Sequence, residues 1–170
     1  MNLKKNLVFL GMMGSGKSSI GYLVSKKLNL SFIDIDNLIK KKIKMSISEV
    51  FKRKGEDYFR DIEEKITLKA LKNTNEVISL GGGGFINNKI RKEILTSHLS
   101  FWLNWDESVL LKRIKNSKKR PLAFKSTDYE IKHLIKKRSK IYSRAQFKIN
   151  CNKLTKTEIV KLIIEIYEIN

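Results

Sequence analysis

"GMMGSGKSS" (residues 11–19) sets three glycines, one lysine and three serines into nine consecutive positions of a 170-residue chain that holds only nine glycines. The spacing Gly11-x-x-x-x-Gly16-Lys17-Ser18 is that of a phosphate-binding loop, in which glycines let backbone N–H groups curl around a polyphosphate and the lysine reaches its outer phosphates. Ser18 places a hydroxyl at the first turn of the following helix, where it can ligate the Mg2+ that accompanies a nucleotide. Contacts to ATP are therefore expected from Gly14, Ser15, Gly16, Lys17, Ser18 and Ser19. The flanks agree. "NLVFL" (6–10) is an apolar, strand-like run, and "SSIGYLVSKKL" (18–28) spaces Ile20, Leu23, Val24 and Leu28 as one helical face. A glycine-rich turn without a ligand is the competing explanation, and the motif in this strand-to-helix setting argues against it.

Working outward, 41% hydrophobic content over 170 residues suits one core, so a single domain over 1–170 is expected. One proline, no low-complexity tract and no repeat leave no linker to place. A single cysteine, Cys151, excludes an intramolecular disulfide and a cysteine-based metal site, and is compatible with a reducing compartment. The lysines in "MNLKKNLVFLGMM" precede an apolar run too short for a secretory signal, and it leads into the phosphate loop instead of a cleavage site. No stretch is long enough to span a bilayer. A soluble, cytoplasmic monomer with no membrane partner is expected.

The net charge of +19 would suit a phosphate backbone. However, the 29 lysines and seven arginines are scattered and mixed with Asn and Ile, and no nucleic-acid motif accompanies them. The lysines read as solvated faces that steer anions, with no nucleic-acid partner.

Because lysine dominates, the arginines are informative: only their planar fork matches a carboxylate or phosphate with two parallel hydrogen bonds. They stand at 53, 60, 91, 113, 120, 138 and 144. "SFIDID" (31–36) reads as a strand whose alternation sends Asp34 and Asp36 to one side, at the carboxyl end where ligands of parallel sheets bind. Asp34 is placed to reach the Mg2+ shell and Asp36 to face a substrate hydroxyl, the competing explanation being that Asp36 only caps the helix that follows. "SISEVFKRKGEDYFRDIEEKITLKALKN" (46–73) reads as two helices broken at Gly55, opened by a Ser46–Glu49 capping box. Within it, Arg60 could simply pair with Glu63 and Glu64.

"EVISLGGGGF" (76–85) is a strand followed by four glycines, a second place for close backbone approach to a ligand. "LSFWLNW" (99–105) is a fourth strand, followed by a helix over about 106–116 carrying Arg113. "KNSKKRPLAFKSTD" (115–128) holds the only proline, directly after Arg120, and is expected to form a lid over about 115–127. A helix over 128–146 puts Arg138 and Tyr142 on one face, "FKINC" (147–151) is a fifth strand, and the helix from Thr155 packs Ile159, Leu162, Ile163 and Ile166 inward. His98 and His133 lack partners at metal-ligand spacing.

Strands alternating with helices imply a parallel sheet covered on both faces by right-handed crossovers, an α/β fold. A phosphate loop on so small a domain suggests a small-molecule phosphotransferase. The residues alone leave its acceptor open, a gluconate or nucleoside monophosphate among the choices, and a basic nucleic-acid-associated ATPase is the alternative from another class.

"FLGMMGSGKSSIG", "FIDID", "FRDIEE", "SLGGGG", "KRPL" and "KKRSKIY" occur in the order and spacing of the shikimate kinases, and the chain resembles that family over nearly its whole length. The resemblance implies a nucleoside-monophosphate-kinase-like P-loop fold with five strands in the order 2-3-1-4-5. It also implies transfer of the ATP γ-phosphoryl group to the 3-hydroxyl of shikimate, with Mg2+, on the way to chorismate and the aromatic amino acids. By the same resemblance Lys17 and Ser18 hold phosphates and metal, Asp34 contacts the metal through water, and Asp36 orients the attacking hydroxyl. Arg60 and Arg138 grip the shikimate carboxylate, Gly81, Gly82 and Gly83 lie beside the ring, and Phe51 and Phe59 stand near it. Arg120 is the lid arginine, Arg113 packs on adenine, and helices over about 36–62 bind the substrate. Three positions depart from the family pattern: Ser19 for threonine, Gly84-Phe85 for smaller aliphatic residues, and Lys140 for proline.

Overall fold

Every residue of "LVFL" is buried, because a central parallel strand is covered on both faces. Its alternation divides the interior in two. Val8 and Leu10 face a core shared with Ile35, Phe59 and Ile90, while Leu7 and Phe9 face one shared with Val24, Phe101 and Ile163. In the computed structural model, which describes residues 5–116 and 126–170, five strands surround this axis. They are β1 (Leu7–Leu10), β2 (Ser31–Asp34), β3 (Glu76–Ser79), β4 (Leu99–Asn104) and β5 (Phe147–Asn150). All pair in parallel, in the order β2-β3-β1-β4-β5, as expected. The α-helices of the described residues are α1 (Lys17–Leu28), α2 (Ile35–Ile43), α3 (Ile47–Leu71), α4 (Asn88–Ser97), α5 (Glu107–Lys115), α6 (Asp128–Tyr142) and α7 (Lys156–Ile169). None is long and apolar enough to cross a membrane.

Local chemistry accounts for most boundaries. Ser46–Glu49, Thr127–Glu130 and Thr155–Glu158 each form a reciprocal capping box at the start of α3, α6 and α7. Gly55 leaves helical geometry inside α3 with φ 85° and ψ 171°, which makes the expected break a sharp kink. α4, unassigned from the sequence, starts where the Asn87 side chain accepts from the N–H groups of Lys89 and Ile90.

Four expectations change. β2 ends at Asp34, and Ile35 and Asp36 already belong to α2, because the Asp34 carboxylate accepts the Asn37 N–H and caps that helix. In α1 the buried stripe runs through Ile20, Gly21, Val24 and Ser25, leaving Leu23 outside, because Gly21 lets the helix close onto Phe32 and Val77. In α7 Val160 takes the buried place expected of Leu162, beside Ile159 and Ile163. α6 ends at Tyr142 rather than 146. None of this moves the functional edge, since the loops after β1, β2, β3 and β4 all leave from the carboxyl ends of parallel strands.

Candidate functional site

On one side of that edge lies the phosphate loop. Gly16 caps α1 in the left-handed region, and Lys17 opens the helix. The Lys17 ammonium, 7% exposed, folds back over the loop and donates to the carbonyls of Gly11 (2.9 Å) and Met12 (3.0 Å). The Ser18 hydroxyl donates to Asp34 Oδ2 at 2.5 Å and lies 3.5 Å from the Ser79 hydroxyl at the end of β3. Asp34 Oδ1 takes the Asn37 N–H at 3.0 Å. Hard oxygen donors thus meet where Mg2+ is expected, from one carboxylate and one or two hydroxyls. Among the described residues no group of three His, Cys, Asp or Glu side chains could hold a metal by itself. Ser19 is exposed on the first turn of α1.

The outer rim of the loop is held from β4 and α5. The Trp105 indole N–H donates to the Ser15 carbonyl at 2.9 Å, and Arg113 Nη1 reaches the Gly14 carbonyl at 3.4 Å. The guanidinium carbon of Arg113 sits 3.8 Å from the centre of a Trp105 ring, a close cation–π stack.

Facing the loop is a cavity of about 540 Å3. Met13, Ser18, Asp34 and Asp36 form its nucleotide-side wall, and Arg60, Arg138, Gly82 and Gly83 stand among the residues of the remainder. Phe51 and Phe59, from the two arms of kinked α3, contribute an apolar wall with ring centres 4.7 Å apart, and the Arg60 guanidinium lies 5.2 Å from the Phe59 ring centre. Arg60 does form ion pairs, but with a different set than expected. Its partners are Glu63 (2.7 Å) and Glu56 (3.0 Å), whereas Glu64 turns away to Lys89 and Asn87, each at 2.7 Å.

Glu63, named in the sequence only as a competitor for Arg60, is the buried centre of this wall. It is 2% exposed, and its Oε1 has no hydrogen-bond partner among the described groups. Burial raises its carboxyl above the ordinary range, Arg60 opposes that shift, and the nearby Asp36 carboxylate adds to it. A Cβ at Gly81 would stand 2.6 Å from Glu63 Oε1 and 2.7 Å from Asp36 Oδ1, so both carboxylates close directly over this residue and a side chain here would displace them. At Gly82 the neighbour is Arg138 Nη1, 3.4 Å from where a Cβ would be, and at Gly83 it is the Arg60 guanidinium.

The glycine loop is also tied from behind. The Tyr142 hydroxyl, one turn beyond Arg138 on α6, donates to the Gly82 carbonyl. Burial pushes that phenol up to about 12, which keeps it a donor. The expected residues among those described therefore come together from six separate segments. Arg120, with residues 117–125 of the expected lid, lies outside the described residues. Trp105, Ser79 and Glu63 were not singled out as site residues by sequence reasoning. Trp105 carried a signal, as an aromatic donor one residue past a strand end beside the phosphate loop.

Comparison with known proteins gives the same assignment. The shikimate kinase family model matches residues 13–168. A shikimate kinase of Thermodesulfovibrio yellowstonii is 39% identical over 165 residues, 96% of this chain and 95% of the relative. One from Sulfurihydrogenibium sp. is 37% identical over 94% of this chain and 96% of its own. The crystal structure of shikimate kinase from Aquifex aeolicus superposes with a TM-score of 0.85 at 36% identity, covering 96% of each chain. These matches run through both the phosphate loop and the arginine wall, so the chain belongs to the shikimate kinase family, a family of ATP-dependent kinases.

Proposed function

We propose that the chain transfers the γ-phosphoryl group of ATP to the 3-hydroxyl of shikimate, giving shikimate 3-phosphate and ADP. One observation carries this reading: two guanidiniums, Arg60 and Arg138, converge on adjacent glycines of the cavity that also contains Ser18, Asp34 and Asp36. A carboxylate held by the arginines directs the rest of a small ring toward Asp36 and the phosphate loop. Asp36 orients the acceptor hydroxyl and takes its proton as the new P–O bond forms and the bond to the β-phosphate oxygen breaks. Glu63 fixes the Arg60 fork, Phe51 and Phe59 cover the apolar face of the ring, and the Gly81–Gly83 backbone lies beside it. Lys17 answers the charge on the outer phosphates, and Arg113 lies on the side of the adenine.

ATP is taken with Mg2+. The Ser18 hydroxyl and the Asp34 carboxylate, directly or through water, fit a cation that draws its remaining oxygen ligands from phosphates and solvent. Bound there, such a cation would supply positive charge to offset that of the ATP phosphates.

The test is ADP release with shikimate, gluconate and nucleoside monophosphates offered separately, with phosphorus–proton coupling used to locate the phosphate on the product. Turnover with shikimate and coupling to the proton on carbon 3 are expected. Preference for gluconate or a nucleotide would refute the reading.

A further inference from the structure

β4 lies beside β1 with Leu10 paired to Trp102, so three residues later the chain clears the sheet and sets Trp105 against the flank of the phosphate loop. Its indole has one polar atom, a donor, and that donor is used on the Ser15 carbonyl at 2.9 Å. There are no cis peptides among the described residues, so a Ser15 carbonyl turned out toward Trp105 turns the Gly16 N–H the opposite way, into the loop. The preceding carbonyl is held similarly, since Arg113, stacked on the Trp105 ring at 3.8 Å, reaches Gly14 O at 3.4 Å. Gly14 and Gly16 both have positive φ (82° and 91°), a backbone that depends on such outside fixation to stay in one state. The support is itself anchored, because Asp106 and Asn152 exchange two hydrogen bonds, of 2.8 and 2.9 Å, just after Trp105.

We propose that Trp105 is a positioning residue for the phosphate loop: its indole N–H, with the Arg113 guanidinium stacked on its face, holds two successive loop carbonyls outward so that the loop presents N–H groups to polyphosphate. A carbonyl swung inward would set negative charge against the phosphates and remove a donor at once. The inference rests on the kinase reading and assigns that site a residue outside the phosphate-binding motif.

The test compares wild type, Trp105→Phe and Trp105→Leu by calorimetric titration with ADP, with tripolyphosphate, which lacks a base, and with shikimate. Phenylalanine keeps an aromatic face and loses the donor. Loss of one neutral hydrogen bond predicts that Trp105→Phe weakens ADP and tripolyphosphate alike by about three- to tenfold, with shikimate unchanged within about twofold. Leucine, which also loses the stack, should weaken both anions further.

Three results would overturn the proposal: wild-type affinities in Trp105→Phe, loss confined to ADP, which would mean a base contact only, or equal loss for all three ligands, which would mean a structural role. A measurement on wild type needs no variant: exchange of the Trp105 indole proton should slow when tripolyphosphate binds, and an unchanged rate counts against the proposal. If wild type itself failed to bind ADP or to turn over shikimate, the kinase reading would fall, and this inference with it.

Discussion

The nucleotide side and the acceptor side of the cavity are built in opposite ways. The phosphate loop is a continuous segment, Gly11 to Ser18, whose geometry is mostly backbone, held in place by Lys17 from within and by Trp105 and Arg113 from outside. The acceptor wall is assembled from side chains on α2, α3 and α6 around the backbone of the glycine loop, with the buried Glu63 between Arg60 and Asp36. A local backbone motif tolerates change elsewhere in the chain. A wall of converging charges depends on each of its members.

The largest expected effect separates the two sides most sharply. Lys17→Ala removes a cation where charge redistributes during transfer, and kcat should fall by about 10²–10³-fold. Shikimate affinity and the circular dichroism spectrum should stay near wild type. An equal loss of shikimate binding would show that the two sides are not independent.

Next come the arginines. Arg60→Lys and Arg138→Lys keep charge but lose the fork, and each should raise the KM for shikimate by about 10- to 150-fold, the loss of a charge-assisted contact, with little change in ATP affinity. A shikimate analogue with a neutral group in place of the carboxylate should lose much less. Equal losses for both ligands would make these arginines structural.

A titration remote from both sides supplies the control. His98, 6% exposed at the amino end of β4, has its pKa lowered below the ordinary 6.5 by burial, with Glu93 opposing the shift. The unfolded chain therefore binds the proton more readily. Stability should be fully present above about pH 6.5 and decline as pH falls toward the folded pKa. A drop of a few degrees in the melting midpoint, abolished in His98→Gln, is expected. A specific change in either KM over that range would tie His98 to the site.

The smallest effect sharpens the acceptor side. The Glu56 side chain is 63% exposed and occupies part of the Arg60 fork, so a bound carboxylate competes with it. Glu56→Gln should lower the KM for shikimate by about twofold, in keeping with the modest strength of an exposed pair. A rise instead would mean that Glu56 holds Arg60 in its binding geometry.

What could be read in the sequence follows the same division. The phosphate loop and the Ser46–Glu49 capping box depend on residues close together in the chain, and they and the strand order implied by the family resemblance appear where expected, whereas the Thr127–Glu130 box went unread. Asp34 and Asp36 do share the cavity, but by a cap and a first helical turn, not by strand alternation. Periodicity could not tell that Leu23 and Leu162 lie outside, because Gly21 and Val160 admit a slightly rotated contact face. Nor could it choose Glu56 over Glu64 for Arg60, since the kink at Gly55 and the pull of Lys89 decide that in three dimensions. Trp105 went unread because its partner is a backbone carbonyl 90 positions away.

The kink at Gly55 bears on which atoms the chain could carry there. Nothing lies within 4 Å of the point where an L-side chain would start, so bulk is not what reserves the position. Handedness is: at φ 85° an L-residue is held against its own stereochemistry, at about 1–3 kcal/mol whatever its size. The bend that sets Phe51 and Phe59 into one wall is thus an achiral joint in a chain of chiral units, open to any shape and closed to either alanine or tryptophan on the same terms.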